Sequence, residues 1–416
     1  MTQELSRRQL VAMGVLAGLS APFIHRRAAA AAPVQMVSHR YPLLEYYAER
    51  MRNALPGVEV NTQLMQFDKA LELTSIAMSA RSDTIDIVYV NDATVKTFIK
   101  NGWIRPLDDL WEKHKDEFNL GDYNETVLSR FKDGGRTFAV PLSTNTNFLF
   151  YRKDLFDAAG KMPPKTMAEY LELAKFFSSP ARAGVVSCLK PADGTLTETH
   201  YYLNALADGW FDEAWRPVFN NDRGVAAIET LKQMTSYAQQ GFTTAHNDEC
   251  MIALQQDVAA MGPSWSTRAQ PMEDPTRSLV VGKMDFVELP HGKARVTSDA
   301  YGISPFSKQD PDLLFRILAR TADEESMRGA APLTLPPRDS VLSDPALQAQ
   351  FRHYPAGIAA MKSGVTFPAI PEWYAIGDLI SRRMLQAVTD EMPVKQALDL
   401  AARETQDHLA QNGYYK

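Results

Sequence analysis

Polar side chains gather at three places where short apolar runs end. Val34–Ser38 reads as a strand ending at His39-Arg40, and Val58–Thr62 as a second with Gln66 just beyond it. Asp86-Ile87-Val88-Tyr89-Val90 reads as a third, ending at Asn91-Asp92. A nearly continuous apolar strand is the pattern of a parallel strand buried on both faces. In open α/β sheets, ligands bind beyond the carboxyl ends of such strands. His39, Arg40, Gln66 and Asp92 stand at those ends and are therefore candidates for contacting a ligand. Plainer roles stay open. Asp92 would also suit the N-cap of a helix over Ala93–Ile99, and His39 and Arg40 a solvated loop.

Covalent or metal chemistry has no comparable support. The chain contains no G-x-S-x-G, H-E-x-x-H, P-loop, G-x-G-x-x-G or C-x-x-C motif. Its eight histidines are scattered without metal-ligand spacing, so no metal and no cofactor is expected. Asp108-Asp109, Glu324-Glu325 and Asp390-Glu391 read as solvated helix ends favoured by the helix dipole. Glycoside-cleaving carboxylates leave no short signature, so that class is not excluded by motif alone. Cys188 and Cys250 are read as two buried thiols, with a disulfide as the alternative.

The elements that would position these side chains follow from periodicity. Leu44, Tyr47, Met51 and Leu55 mark one face of a helix stopped by Pro56-Gly57. Lys69–Ala80 reads as a second helix. A further block opens near residue 140, with strands over Phe138–Pro141 and Phe148–Tyr151. Thr166 and Glu169 form a capping box. Helices follow around Tyr201–Ala207 and Val225–Gln239, then strands over Asp285–Leu289 and Ala300–Ser304. The last 45 residues carry two apolar helical stripes, one through Ile376, Ile380 and Met384, the other through Val394, Leu398 and Ala401. Strand–helix alternation implies an α/β fold with mostly parallel sheets flanked by helices. No flexible linker splits the chain, so two lobes sharing strands are expected. With 416 residues, a formal charge of −6 and 23% charged residues, a nucleic-acid binder is disfavoured, because it needs a basic stripe.

The first thirty residues read as an address. Ser6-Arg7-Arg8-Gln9-Leu10 precedes an apolar run from Val11 to Ile24 and an alanine tract from Ala28 to Ala32. About 14 apolar residues span only ~21 Å, short of the ~30 Å membrane core. The paired arginines resemble a twin-arginine (Tat) export signal, taken as residues 1–31. The mature protein is then expected in the periplasm.

Several segments resemble family 1 extracellular solute-binding proteins, the maltodextrin-binding-like receptors of bacterial ABC sugar importers. Asn101-Gly102-Trp103-Ile104-Arg105-Pro106-Leu107-Asp108-Asp109 resembles the family's G-x-(I/L)-x-P-L-D-D segment. Gly135 to Pro141, Phe150-Tyr151-Arg152-Lys153-Asp154-Leu155-Phe156, Ala159-Gly160 and Pro163-Pro164-Lys165-Thr166 are similar to its G-x-x-Y-A-V-P … Y-x-K-D-L-F-x-x-A-G … P-P-x-T block. Val258 to Trp265 resembles a later segment, with Asp257 in place of the usual glycine.

The resemblance implies a periplasmic-binding-protein fold whose two lobes meet at a hinge of crossing strands. It implies a first lobe of residues 32–142 and 292–343 and a second of 143–291 and 344–416. The ligand would be a carbohydrate, captured by lobe closure and delivered to ABC transporter permease subunits by a monomeric protein that is not an enzyme. The alternative is a Tat-exported periplasmic enzyme acting on glycans. By the same resemblance Thr144 and Asn145, at the first crossing between lobes, contact ligand. Trp265 and Trp373 stack on it, Trp373 having packing under the terminal helices as its other reading. Asp299 and Tyr301 stand where the family usually has glycines and add polar reach. Arg338, after Pro336-Pro337, either reaches the cleft or fixes its loop.

Overall fold

A computed structural model describes residues 32–415; the export segment and its twin-arginine reading lie outside the described residues. Val34–His39 (β1) pairs in parallel with Val60–Met65 (β2) and Ile87–Asn91 (β3). Every residue of β3 is buried, as a strand covered by helices on both faces must be. A hairpin of Lys132–Asp133 (β4) and Arg136–Thr137 (β5) turns on Gly134 and Gly135, both at positive φ, where a Cβ would be strained.

Val140–Arg152 (β6) follows, then Ala183–Val185 (β7), Ala259–Trp265 (β8), Met284–Val287 (β9) and Val296–Ile303 (β10). The sheet order is β2-β1-β3-β10-β6-β8-β7, with β9 also on β6. β6 joins the two halves of this sheet. Its residues from Val140 to Thr146 pair with β10, and those from Asn147 to Arg152 with β8 and β9. β10 in turn pairs with β3 from Asp299 to Ile303 and carries a register shift between Asp299 and Ala300.

Two strands were expected where β6 is a single one, 13 residues long and buried throughout. The centre, Ser143-Thr144-Asn145-Thr146-Asn147, is polar, so alternation rules break it. Tertiary partners satisfy much of it: Asn145 donates to Asp299, and Thr334 donates to Asn145 Oδ1.

The Thr166–Glu169 capping box is present in both directions. The terminal helices Trp373–Val388 and Val394–Gln411 bury the two expected stripes against each other and the second half of the sheet. Apolar side chains of β1–β3 and their helices form one set of cores; those of β7–β9 and the terminal helices form another.

Cys188 and Cys250 form a disulfide with Cα atoms 6.2 Å apart, which corrects the reading as free thiols. Their 62-residue separation hides the contact; it arises because the helix Asn247–Gln255 packs beside the chain leaving β7. No helix among the described residues is long and apolar enough to cross a membrane.

Candidate functional site

β6 and β10 cross at a carboxylate. Asp299 Oδ2 accepts from Tyr41 Oη at 2.5 Å, Ser143 Oγ at 2.8 Å and Asn145 Nδ2 at 3.0 Å, while Oδ1 accepts from Tyr89 Oη at 2.5 Å. Four donors occupy about the four lone-pair sites a carboxylate offers. Asp299 is only 4% exposed, so these bonds are made where water competes little. They tie β1's exit, β3, β6 and β10 to one point between the halves of the sheet.

Asp92 directly follows β3, next to Asn91, which pairs with Asp299. Its Oδ1 accepts from Thr297 Oγ1 at 2.5 Å and from Ser298 N at 3.0 Å. Burial raises its pKa, against the pull of those two donors and of Arg130 and Arg295. The helix-cap reading of Asp92 is corrected: the helix begins at Val95, and the Asn91 side chain accepts from Ala93 N and Thr94 N. Asp92 is turned instead toward β10.

From the second half of the sheet, the counterpart is a cluster around Arg295, one residue before β10. Its Nη1 donates to Asp193 Oδ1 at 2.5 Å and Thr197 Oγ1 at 2.6 Å. The guanidinium lies 3.6 Å from the Phe367 ring centroid and 5.2 Å from that of Trp265. Burial alone would raise the Asp193 pKa, but Arg295 and His246 override it and hold the carboxyl below its usual range. Asp193 opens the helix Asp193–Leu206, and Ala192 before it takes φ 73°. A non-glycine residue there is strained, and such strain clusters at functional sites. Trp265 donates from its indole nitrogen to Asn247 Oδ1 at 3.0 Å. It ends β8 rather than sitting in a loop.

Contacts also join the β1–β3 half of the sheet to the C-terminal segment. Phe67, His39 and Tyr89 form an aromatic group on one side, and Tyr374 from the other packs against Phe67 with ring centroids 5.7 Å apart. Thr97 Oγ1 donates to Pro371 O at 3.2 Å, and Lys100 Nζ to Glu372 Oε1 at 3.0 Å.

The structure thus joins Asn145 to Asp299, sets His39 beside Tyr89 of the same group, bonds Asp92 to Thr297 and Ser298 of β10, and places Trp265 beside Arg295. Thr144 is buried on β6, its backbone paired with Leu335, and Gln66 is exposed ahead of the helix Phe67–Ser79; its neighbour Phe67 enters the aromatic group instead. Four candidates lie elsewhere, and Arg40, Trp373 and Arg338 take the plainer role that the sequence also left open to them. Arg40 points to solvent and pairs with Glu45. Tyr301 is fully buried in a core, its hydroxyl 3.3 Å from Ser38 Oγ. Trp373 is fully buried against Trp210 and Phe367, packed under the terminal helices. Arg338 is wholly buried and fixes its loop by donating to the backbone carbonyls of Phe118, Asn119 and Ala322. Tyr301, Trp373 and Arg338 each carry a side chain large enough to form its own packing, and sequence position alone does not reveal which face it takes.

Tyr41, Tyr89, Ser143, Asp193 and Arg295 were not anticipated. Tyr41 and Tyr89 adjoin strand ends that were, and Pro191-Ala192-Asp193-Gly194 reads as a turn into a helix. Arg295 left no local signal.

This arrangement suits a small hydroxylated molecule: buried carboxylate, amide and guanidinium groups lie beside aromatic rings. Residues 40–313 match the family described as bacterial extracellular solute-binding protein. A mannitol-binding protein of Pseudomonas aeruginosa is 25% identical over 350 residues, 76% of this chain and 78% of that protein. In fold, the chain is similar to an ABC transporter solute-binding protein of Agrobacterium radiobacter in complex with ribitol. The TM-score is 0.81 at 23% identity, covering 91% of this chain and 98% of that one. A solute-binding protein of Agrobacterium vitis with bound D-mannitol also gives a TM-score of 0.81, at 19% identity over 92% of this chain and all of that one. The match over residues 40–313, joined to the shared-strand α/β fold, shows that this chain belongs to the bacterial extracellular solute-binding protein family.

Proposed function

We propose that the protein captures a small polyol or sugar between its lobes, outside the cytoplasm, and delivers it to the permease of an ABC transporter. The observation that supports this reading is the buried polar group between the halves of the sheet: Arg295 held by Asp193 beside Phe367 and Trp265, with Asp92 bonded to β10 and the Asp299 hub on the same strand. The mannitol-binding relative and the ribitol- and mannitol-bound neighbours support sugar alcohols as the first class to test. The lobes are residues 32–142 with 292–343 and residues 143–291 with 344–416; the mature protein is a periplasmic monomer exported by the Tat route. Asp92, Asn145 and Trp265 contact the ligand, and the Asp299 hub shapes the floor beneath it.

A thermal-shift panel of D-mannitol, ribitol, D-glucose and maltose tests the reading. A ligand present at about 100 times its Kd adds roughly 2.7 kcal/mol of stability. Recovery of the ligand unchanged after incubation separates a receptor from a glycan-cleaving enzyme. No shift from any member, at concentrations up to 10 mM on the order of weak receptor affinities, defeats the proposal.

A further inference from the structure

We infer that Arg295 is the specificity-determining residue of the cleft, anchoring an uncharged polyhydroxylated ligand through its Nε–H, while the carboxylates around it exclude acidic sugars. The inference rests on the capture reading above and goes further by fixing the ligand's charge and its anchor.

The anchor argument starts from an unmade bond. Arg295 is 5% exposed, and its Nη1 is fully engaged by Asp193 and Thr197. Its Nε is buried and has no hydrogen-bond partner. A buried donor attached to a charged group is destabilising when left unpaired, and native structures rarely keep one without a reason. Here the rest of the side chain is held rigidly: Phe367 covers one guanidinium face at 3.6 Å, and Trp265 lies nearby. A planar fork fixed by a carboxylate and an aromatic face is pre-organised, so little further side-chain freedom is lost when a ligand hydroxyl accepts from Nε.

Charge follows from the same geometry. The formal carboxylates around the cleft are Asp92, Asp193 and Asp299; the guanidiniums are Arg295 and Arg130, which donates to Ser298 Oγ at 2.6 Å and faces Asp92. Lys100 and Glu372 at the rim balance each other. Among the nearby histidines, His200 is kept neutral because burial and then Arg295 push its pKa down to about 3; His39 and His246 complete the titratable set. Arg295 is neutralised by Asp193 and Arg130 faces Asp92, so the carboxylate of Asp299 is the charge left over to meet an incoming anion. A carboxylate or phosphate on the ligand would meet the excess acid in a desolvated space.

The test uses calorimetry on the mature chain with matched pairs: D-mannitol and D-gluconate, ribitol and D-ribonate, D-glucose and D-glucuronate. Within whichever pair binds, the acid is expected to bind at least ~100-fold more weakly, because like-charge juxtaposition costs several kcal/mol. Arg295→Gln should weaken the neutral ligand by roughly 10- to 100-fold, the worth of one hydrogen bond to a charged group. Because that variant leaves Asp193 unpaired, the double variant Asp193→Asn/Arg295→Gln is measured beside it, with the ligand-free melting temperature as folding control. Asp92→Asn should narrow the neutral-to-acid ratio about tenfold, a change that a purely structural role for these groups would not produce. An acid that binds as well as its neutral partner overturns the exclusion. A folded double variant within threefold of the parent overturns the anchor. Binding of a neutral sugar other than a polyol corrects the ligand class proposed above but supports this inference; binding of nothing in the panel defeats both.

Discussion

Replacing Asp299 by alanine should remove more stability than any other single polar change in the chain. The substitution deletes an acceptor shared by Tyr41, Tyr89, Ser143 and Asn145. Not every donor is left stranded. Tyr41 is half-buried and can turn to water, and the Ser143 hydroxyl can rotate. Tyr89, 9% exposed, has no such outlet, and Asn145, 6% exposed, keeps only a long bond from Nδ2 to Tyr41 Oη at 3.4 Å. Two orphaned buried donors at about 1–3 kcal/mol each give a loss of roughly 4 kcal/mol, at the diagnostic end of single substitutions. Asp299→Asn keeps one acceptor oxygen, and a tyrosine hydroxyl can accept from its amide, so about 2 kcal/mol is expected. Tyr89→Phe removes one donor and should cost about 1 kcal/mol. Urea unfolding followed by tryptophan fluorescence and far-ultraviolet circular dichroism measures each value, coincident transitions validating a two-state fit. The hub reasoning fails if Asp299→Ala lies within about 1 kcal/mol of the parent, or if alanine is no worse than asparagine.

Three further outcomes follow from separate parts of the molecule. Lys100→Met removes the cross-cleft pair with Glu372, which Tyr414 also holds; Lys100 is half-exposed, so the pair is worth about 0–1 kcal/mol. The ligand-free protein should then populate a more open form, seen as a larger radius of gyration by small-angle scattering, and an unchanged radius removes the clasp. Glu198 lines a small cavity with Asn147, Thr197 and Asn247 and accepts from Cys188 N and Ser187 Oγ. Burial raises its pKa from 4.5 to about 7. The folded state therefore holds a proton that the unfolded chain has released between those values, and Glu198's contribution to stability falls as pH rises from about 4.5 to about 7, then stays level. Glu198→Gln should flatten that part of the melting-temperature profile; an identical slope in both proteins rules out the assignment. Cys188→Ser/Cys250→Ser should lose about 2–4 kcal/mol to denaturant, the usual effect of opening a loop of this length, and non-reducing peptide mapping of the parent should recover the linked pair.

Much of the architecture was legible from local pattern. β1 and β3 begin within a residue or two of where the apolar runs place them, and the Thr166–Glu169 box starts its helix as expected. The terminal stripes are buried at the positions their period indicates. These features depend on neighbours a few residues apart, so spacing is enough. β6 shows where that stops. Its polar centre has no reason to be a strand until Asp299 and Thr334 arrive from more than 150 residues away.

The sequence by itself determined the alternation of strands and helices, the side chains at strand ends, and the absence of familiar catalytic motifs. Tertiary structure alone decided which of those side chains face the cleft. Trp265 and Trp373 are both tryptophans beside helix or strand ends, yet one lies beside Arg295 and the other is sealed among Trp210 and Phe367. Arg295 and Arg338 are both buried, yet one is held by an aspartate and a threonine with a nitrogen to spare, while the other donates to three backbone carbonyls. The physical reason is that a large side chain's role depends on what covers it, and here the cover comes from segments distant in the chain, brought together only when β6 and β10 cross.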